Sequence, residues 1–334
     1  MELSGMLFSP PSLKRFISIG IITYIASFFI YPVVVLVNAE NLTKVDVVHI
    51  ILDDYEGKRL SSPCRLFYDS YRREIYIVDC GNNRILIYMN DFFPLITIDR
   101  ADGIESPLAV SVDAEGNLFV IQAGSEKHPN GRLSVLNACL KWQRDIQFKD
   151  FEGADSFSPR NLAHDRQGKL YVAGDGYEGV VVFNKDGNFS HLLNPTETVE
   201  EKKVKATIND VEIDDYGKIY LLSEENGRVY VYDGEENFLR KFGQKGGATG
   251  KMSRPKGISV DVAKALIYII DYMRHTASAY SMEGEYLFEF AGMGWAPGWL
   301  NFPYDICTDR EGHVLIADTF NNRVQVFKIT PVRQ

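Results

Sequence analysis

IADTFNNRVQVF occupies residues 316–327, and IVDCGNNRILIY, almost the same phrase, occupies residues 77–88. Each is an apolar run closed by Asp, then Asn-Asn-Arg, then a second apolar run. Working outward, a short segment ending in Asp precedes each phrase, and that segment occurs six times: PCRLFYD (63–69), PLAVSVD (107–113), PRNLAHD (159–165), INDVEID (208–214), PKGISVD (255–261) and PYDICTD (303–309). Their starts lie 44, 52, 49, 47 and 48 residues apart. A fixed period of this size marks a repeat architecture. After the Asp comes a turn, in which Gly116, Gly168, Gly217 and Gly312 suit a positive φ. A second apolar run follows, then a third introduced in four units by Asn-x-Arg (82–84, 130–132, 226–228, 321–323), then a turn and a fourth run.

Four short strands per unit, separated by turn residues, predict the blade of a propeller. The six repeats span residues 63–329, and the sixth ends after its third strand. VDVVHIIL, residues 45–52, is the β-like run before the first repeat, and it is expected to supply the missing strand. Such a strand closes the ring and protects an open edge. The expected fold class is therefore all-β: a six-bladed propeller of four-stranded blades, closed by an N-terminal strand and preceded by one hydrophobic helix.

The chain here resembles the NHL-repeat six-bladed β-propellers, of an exported bacterial type. The resemblance is strongest at DCGNNRILIY and DTFNNRVQVF and in the linkers GQKGGATGKMSRP (243–255) and GMGWAPGWLNFP (292–303). It implies a propeller that binds protein or peptide, or in some members RNA.

The 334-residue chain carries a net charge of −9, and residues 40–334 hold 34 basic and 44 acidic side chains. So acidic a domain repels phosphate backbones, which makes nucleic acid a poor partner. Lys14-Arg15 precedes FISIGIITYIASFFIYPVVVLVNA, 24 residues without a charge. Residues 1–39 are read as a signal peptide cleaved before Glu40, or as an uncleaved membrane anchor over residues 16–37; either places residues 40–331, a single propeller domain, outside the cytoplasm. Periplasmic or extracellular localisation and a monomeric state are expected. Cys64, Cys80, Cys139 and Cys307 show no CxxC spacing. Cys64 and Cys80 could pair in an oxidising compartment, but four buried thiols are the favoured reading.

Asp79, Arg84, Asp318 and Arg323 recur at one place in their repeats, so they are expected to serve the blade. Function is sought where the repeat varies. The two positions after each repeat's first residue begin the innermost strand and are expected to face the channel. They carry Cys64, Leu108, Arg160, Asn209, Lys256 and Tyr304, then Arg65, Ala109, Asn161, Asp210, Gly257 and Asp305. Arg65, Arg160, Asn161, Asn209, Asp210, Lys256, Tyr304 and Asp305 are the candidate partner-binding residues at the channel mouth. Asn161, Asp210 and Asp305 offer oxygen ligands for Ca²⁺ or another divalent cation, although Arg65 and the acids can instead neutralise one another.

No catalytic residue is assigned. Lactonase-like propellers place Ca²⁺ ligands at the first of these positions, where only Asn209 fits here. Amidating lyases of the NHL type use several His residues on zinc, whereas His275 alone occupies the corresponding loop and is read as a surface residue. The sequence is thus read as a protein- or peptide-binding scaffold in the cell envelope, without a cofactor; the alternative is a hydrolase or lyase with one divalent cation at the mouth. Two stretches interrupt the repeat. NPTETVEEKKVKATIN (194–209) is expected to be a solvated loop, and Trp295, Trp299, Phe302 and Tyr304 are expected either to anchor an interface or, slightly favoured, to fill a core between blades.

Overall fold

The apolar runs dictate strands buried on both faces. Segments such as Leu118–Gln122, Leu170–Gly174 and Ile219–Ser223 are buried at every residue, as unbroken apolar runs require when both faces are covered. The outermost strands, such as Trp142–Ile146 and Phe238–Phe242, expose most of theirs. In the computed structural model, which describes residues 32–35, 43–199 and 201–331, these strands form six antiparallel sheets arranged as blades. The innermost strands are Pro63–Asp69, Pro107–Val112, Pro159–His164, Asp210–Ile213, Pro255–Asp261 and Asp305–Thr308. Each meets the innermost strands of the blades on either side, and the last meets the first, so the ring is closed.

Six apolar cores hold the ring together, one between each pair of neighbouring blades. The cluster of Ile51, Leu66, Ile77, Leu315 and Val326 joins the sixth blade to the first. That of Tyr220, Leu222, Ile258 and Ile269 joins the fourth to the fifth. The expected closing strand is present: Thr43–Ile51 pairs antiparallel with Arg323–Pro331 as the fourth strand of the sixth blade. Closure thus uses residues near both ends of the chain.

The expected hydrophobic helix before the propeller needs correction at its end. Pro32–Val35 is a strand, paired antiparallel with Thr43–Ile51. Pro32 ends a helix by its missing N–H and ring, and the three valines after it favour extended backbone. The rest of residues 16–37 lies outside the described residues, as does the cleavage point before Glu40. Among the described residues, no helix is long and apolar enough to cross a membrane.

The repeated Asp side chains build turns. Asp113 Oδ1 accepts from the Asn117 N–H at 2.8 Å, and Asp214 and Asp309 do the same for Lys218 and His313. Gly116, with φ 89°, supplies the left-handed residue of its turn. Opposite these turns, Asp79 and Asp318 lie wholly buried and accept from Arg84 Nε at 2.7 Å and from Arg323 Nε at 2.6 Å. Arg323 Nη2 donates in turn to the Ala296 and Trp299 carbonyls. The Asp–Arg pair therefore ties the linker between blades onto the blade it enters, as its recurrence required. In the fifth blade His275 takes the left-handed position filled by Asn322 in the sixth. It is buried rather than on the surface, and its Nδ1 accepts from the Phe302 N–H at 2.9 Å.

Cys64 and Cys80 are joined in a disulfide with Cα atoms 5.9 Å apart, Cys139 is exposed, and Cys307 is a buried thiol. The expectation of four buried thiols is corrected accordingly: the first strand of the first blade returns beside its own second-to-third-strand turn. Closing a loop of this length contributes about 3 kcal/mol. Cys80→Ser should therefore lower the unfolding free energy by about that much, measured by urea denaturation, and reductant should no longer shift the midpoint of the variant.

The insertion at 194–209 is a hairpin, Thr196–Val199 with Lys202–Lys205, rather than a loop. Glu197 pins it to the fourth blade by accepting from Tyr230 Oη and Lys241 Nζ at 2.8 and 2.7 Å.

Candidate functional site

The propeller has two faces. Linkers between blades and the Asn-x-Arg turns form one, the linker face; the Asp-Gly turns form the other, the turn face. The candidate residues divide between the channel itself and the linker face.

Arg65, Asn161, Asp210 and Asp305 cross the channel. Arg65 Nη1 lies 3.2 Å from Asp305 Oδ1 and 3.8 Å from Asp210 Oδ2, and all three side chains are buried. Asp210 Oδ2 accepts from the Ile258 N–H at 2.9 Å, and Asp305 Oδ2 from the Leu66 N–H at 2.8 Å. Each Asp thus stitches its own inner strand to that of the next blade. Asn161 Nδ2 donates to Asp210 Oδ1. This is the neutralising arrangement. The carboxylate oxygens point at a guanidinium and at backbone N–H groups, and a divalent cation there would meet Arg65. Burial, opposed by Arg65, raises the pKa of both Asp210 and Asp305.

Asn209, Lys256, Tyr304 and Arg160 stand around the channel end on the linker face. Tyr304 lies beneath Lys256 and beneath Arg65 of the channel, each 5.4 Å from its ring centroid. Lys256 Nζ and Arg254 Nε reach the two oxygens of Glu224 at 2.5 and 2.6 Å. Against the cost of burial, these two cations hold the Glu224 carboxyl below the usual range. Asn209 Oδ1 accepts from the Glu224 N–H at 2.6 Å. Arg160 stands apart, paired with Asp175 at 2.9 Å at an exposed site.

Tyr304 also begins a chain of aromatic rings that the sequence marked only in part. Tyr272 lies 6.3 Å from Tyr304 and 4.8 Å from Phe302, and Phe302 lies 5.0 Å from Phe320. Arg254 stacks over Tyr272 at 5.8 Å. The linker beside them carries Trp295 and Trp299, which are 75% and 47% exposed, and Phe320 is 57% exposed. The favoured core role for these tryptophans is thus corrected. The glycine spacing of GMGWAPGW makes room for Trp299 on the outside of the linker: a Cβ at Gly294 would fall 2.9 Å from the Trp299 side chain, which lies across that backbone. Glu224 of the fourth repeat, Arg254 and Tyr272 of the fifth and Phe320 of the sixth share no local pattern and meet only when neighbouring blades pack side by side.

The channel continues to the turn face as a cavity of about 660 Å³, lined by the inner strands of all six blades. Within it Ser111 Oγ meets His164 Nδ1 at 2.9 Å, and burial pushes the His164 pKa down to about 4. Glu212 lines the same space, where burial and then Asp210 and Asp305 raise its pKa well above the usual range. Among the described residues, no group of three His, Cys, Asp or Glu side chains is placed to hold a metal ion.

The geometry agrees with the comparisons to known proteins. A family model described as a 6-bladed beta-propeller matches residues 193–291, and an NHL-repeat model matches residues 300–327. The chain carries an NHL repeat and folds as a six-bladed β-propeller. A segment of 39 residues is 51% identical to E3 ubiquitin-protein ligase TRIM71 of Xenopus tropicalis, over 12% of this chain and 5% of that protein. The chain thus spans a small fraction of that relative's length. Among solved structures, an auxiliary nutrient binding protein from Bacteroides ovatus is similar with a TM-score of 0.61 and 13% identity, over 90% of this chain and 89% of that one. Another, from Bacteroides thetaiotaomicron, has a TM-score of 0.60 and 13% identity, over 87% and 77%. At such identities the likeness is one of fold. The NHL propeller is compatible with a binding or scaffold role.

Proposed function

We propose that this NHL propeller is an exported protein- or peptide-binding module of the cell envelope, and that its contact surface is the linker face over the fifth and sixth blades. The observation that carries the reading is the run of rings from Tyr304 through Tyr272 and Phe302 to Phe320, flanked by the outward Trp295 and Trp299. Exposed Trp and Tyr with a neighbouring Arg are the side chains that dominate interface energies. Lys256, Asn209 and Arg254 border the rings and supply polar specificity, with Arg160 as an outlying contact. Asp210, Asp305, Asn161 and Arg65 support this surface from beneath, because they fix the inner strands on which it stands.

Export is supported by the charge-free run after Lys14-Arg15 and by the Cys64–Cys80 bridge, a bond that persists in oxidising compartments. The two bacterial neighbours described as auxiliary nutrient binding proteins fit a binding role in that setting. On this reading residues 1–39 are a cleaved signal or an anchor, and the propeller acts as a monomer. Function as a single-metal hydrolase or lyase is disfavoured by Arg65, which holds the acids such an ion would need.

The test uses the tagged full chain as bait on envelope extract of its source organism. Wild type should retain one partner, and the Trp295→Ala/Phe320→Ala double variant should retain it at least about tenfold less well. Its melting temperature should be unchanged, since both side chains are exposed. Equal retention by both proteins would refute the assignment of the surface.

A further inference from the structure

The cavity on the turn face is separate from the aromatic surface, and its chemistry selects a different ligand. Ten side chains bearing carboxyls line it, but only two guanidiniums, those of Arg166 and Arg310. A concave, low-dielectric space lined by one sign of charge focuses a negative potential and concentrates cations. Most of the rim acids are engaged in their own turns, as Asp113, Asp214 and Asp309 are. Glu212 differs. It stands midway down an inner strand, at the place where the other blades carry Phe67, Ser111, Ala163, Ser259 and Cys307, and among the described residues it pairs with no cation. Asp210 and Asp305, at the inner end, share the single Arg65. Burial and these two acids shift the Glu212 carboxyl towards its protonated form, so a cation seated against it takes the place of that proton and leaves the carboxylate ionised.

The space is far larger than a bare ion needs and lies in the range of small-molecule sites. Its wall is apolar between the acids, with Phe67, Val112, Ile213 and Val260. Tyr71 and Tyr216 line the opening and are 73% and 76% exposed. Aromatic rings at the mouth of an acidic, partly apolar recess are the elements that recognise an organic ammonium.

We propose that the turn-face end of the channel binds a small organic ammonium ion, with its cationic head against Glu212 and its apolar body between the channel wall and the two rim tyrosines. The full chain, purified in mild detergent, is titrated calorimetrically at low ionic strength with n-butylammonium, with 1-butanol as the neutral analogue and sodium as the bare cation. n-Butylammonium should bind, and 1-butanol and sodium should not displace it. Glu212→Gln should weaken it at least about tenfold, through loss of a charge-assisted hydrogen bond. Tyr71→Ala/Tyr216→Ala should weaken it roughly threefold without touching the fold, because both side chains are exposed. The proposal is overturned if no binding is detected, if butanol or sodium competes equally, or if affinity is unchanged in the tyrosine double variant or in a folded Glu212→Gln protein.

Discussion

Arg65→Met should destabilise the propeller by about 3–5 kcal/mol, the cost of leaving a buried charge without its partner. Arg65 stands between Asp210 and Asp305, and those carboxylates in turn hold the inner strands of the fifth and first blades through Ile258 and Leu66. Without the guanidinium, two buried carboxylates face each other across the channel. The effect has a sign in pH. Burial first, and then the Asp210 carboxyl, push the Asp305 pKa up to about 7 against the pull of Arg65, while an unfolded Asp titrates near 3.9. Between those values the folded state binds more protons, so this group's contribution falls as pH rises through the window. Removing Arg65 removes the influence that opposes protonation. The deficit of the variant should therefore be largest in mild alkali and shrink on acidification towards pH 5. Urea denaturation of both proteins across that range measures it, and a pH-independent deficit would contradict the account.

Asp318→Ala should cost a similar amount, about 3–5 kcal/mol, although Asp318 does not line the channel cavity. Asp318 is wholly buried and accepts from Arg323 Nε at 2.6 Å, the Asn301 N–H at 2.7 Å, Asn321 Nδ2 at 2.8 Å and Gln325 Nε2 at 2.9 Å. Alanine leaves the buried Arg323 without its carboxylate and frees the linker that carries Trp295 and Trp299. Asp318→Asn keeps an acceptor and should lose less. Chemical denaturation measures both, and hydrogen exchange should show the loss of protection concentrated at residues 292–303 in the alanine variant. A stability loss without that local opening would mean that the pair does not hold the linker.

The fold was legible because its information is periodic. Six Asp-closed strands, glycine turns and Asn-x-Arg turns state one blade repeatedly, and the orphan strand near residue 45 states where the ring closes. The candidate site was legible only as far as position in the repeat predicts position in space. Arg65, Asn161, Asp210 and Asp305 do meet in the channel, yet their meeting is a structural cross-brace. Which of two readings applied depended on distances between side chains that lie up to 240 residues apart, and no local pattern contains those. The aromatic surface was half visible, through GMGWAPGWLNFPY, but whether a Trp turns inward or outward depends on backbone packing such as that at Gly294. Glu212 did break the pattern of its strand. It does so at the strand's fifth position, in the open part of the channel, rather than at the first two positions, where the strands cross-brace one another.

The disulfide illustrates the same limit. Its cysteines are 16 residues apart in sequence, a spacing that favours neither bridge nor thiols until the turn between the second and third strands is placed beside the start of the first.

Site-specific photo-crosslinking tests the proposed contact surface most directly. A photoreactive phenylalanine analogue is placed at position 295 or 320 on the linker face, and at position 238 on the outer edge of the fourth blade as a control; each variant is expressed in the source organism and irradiated. The account predicts one discrete protein adduct from positions 295 and 320 and none from position 238. Adducts from position 238 alone, or equally from all three positions, would contradict it.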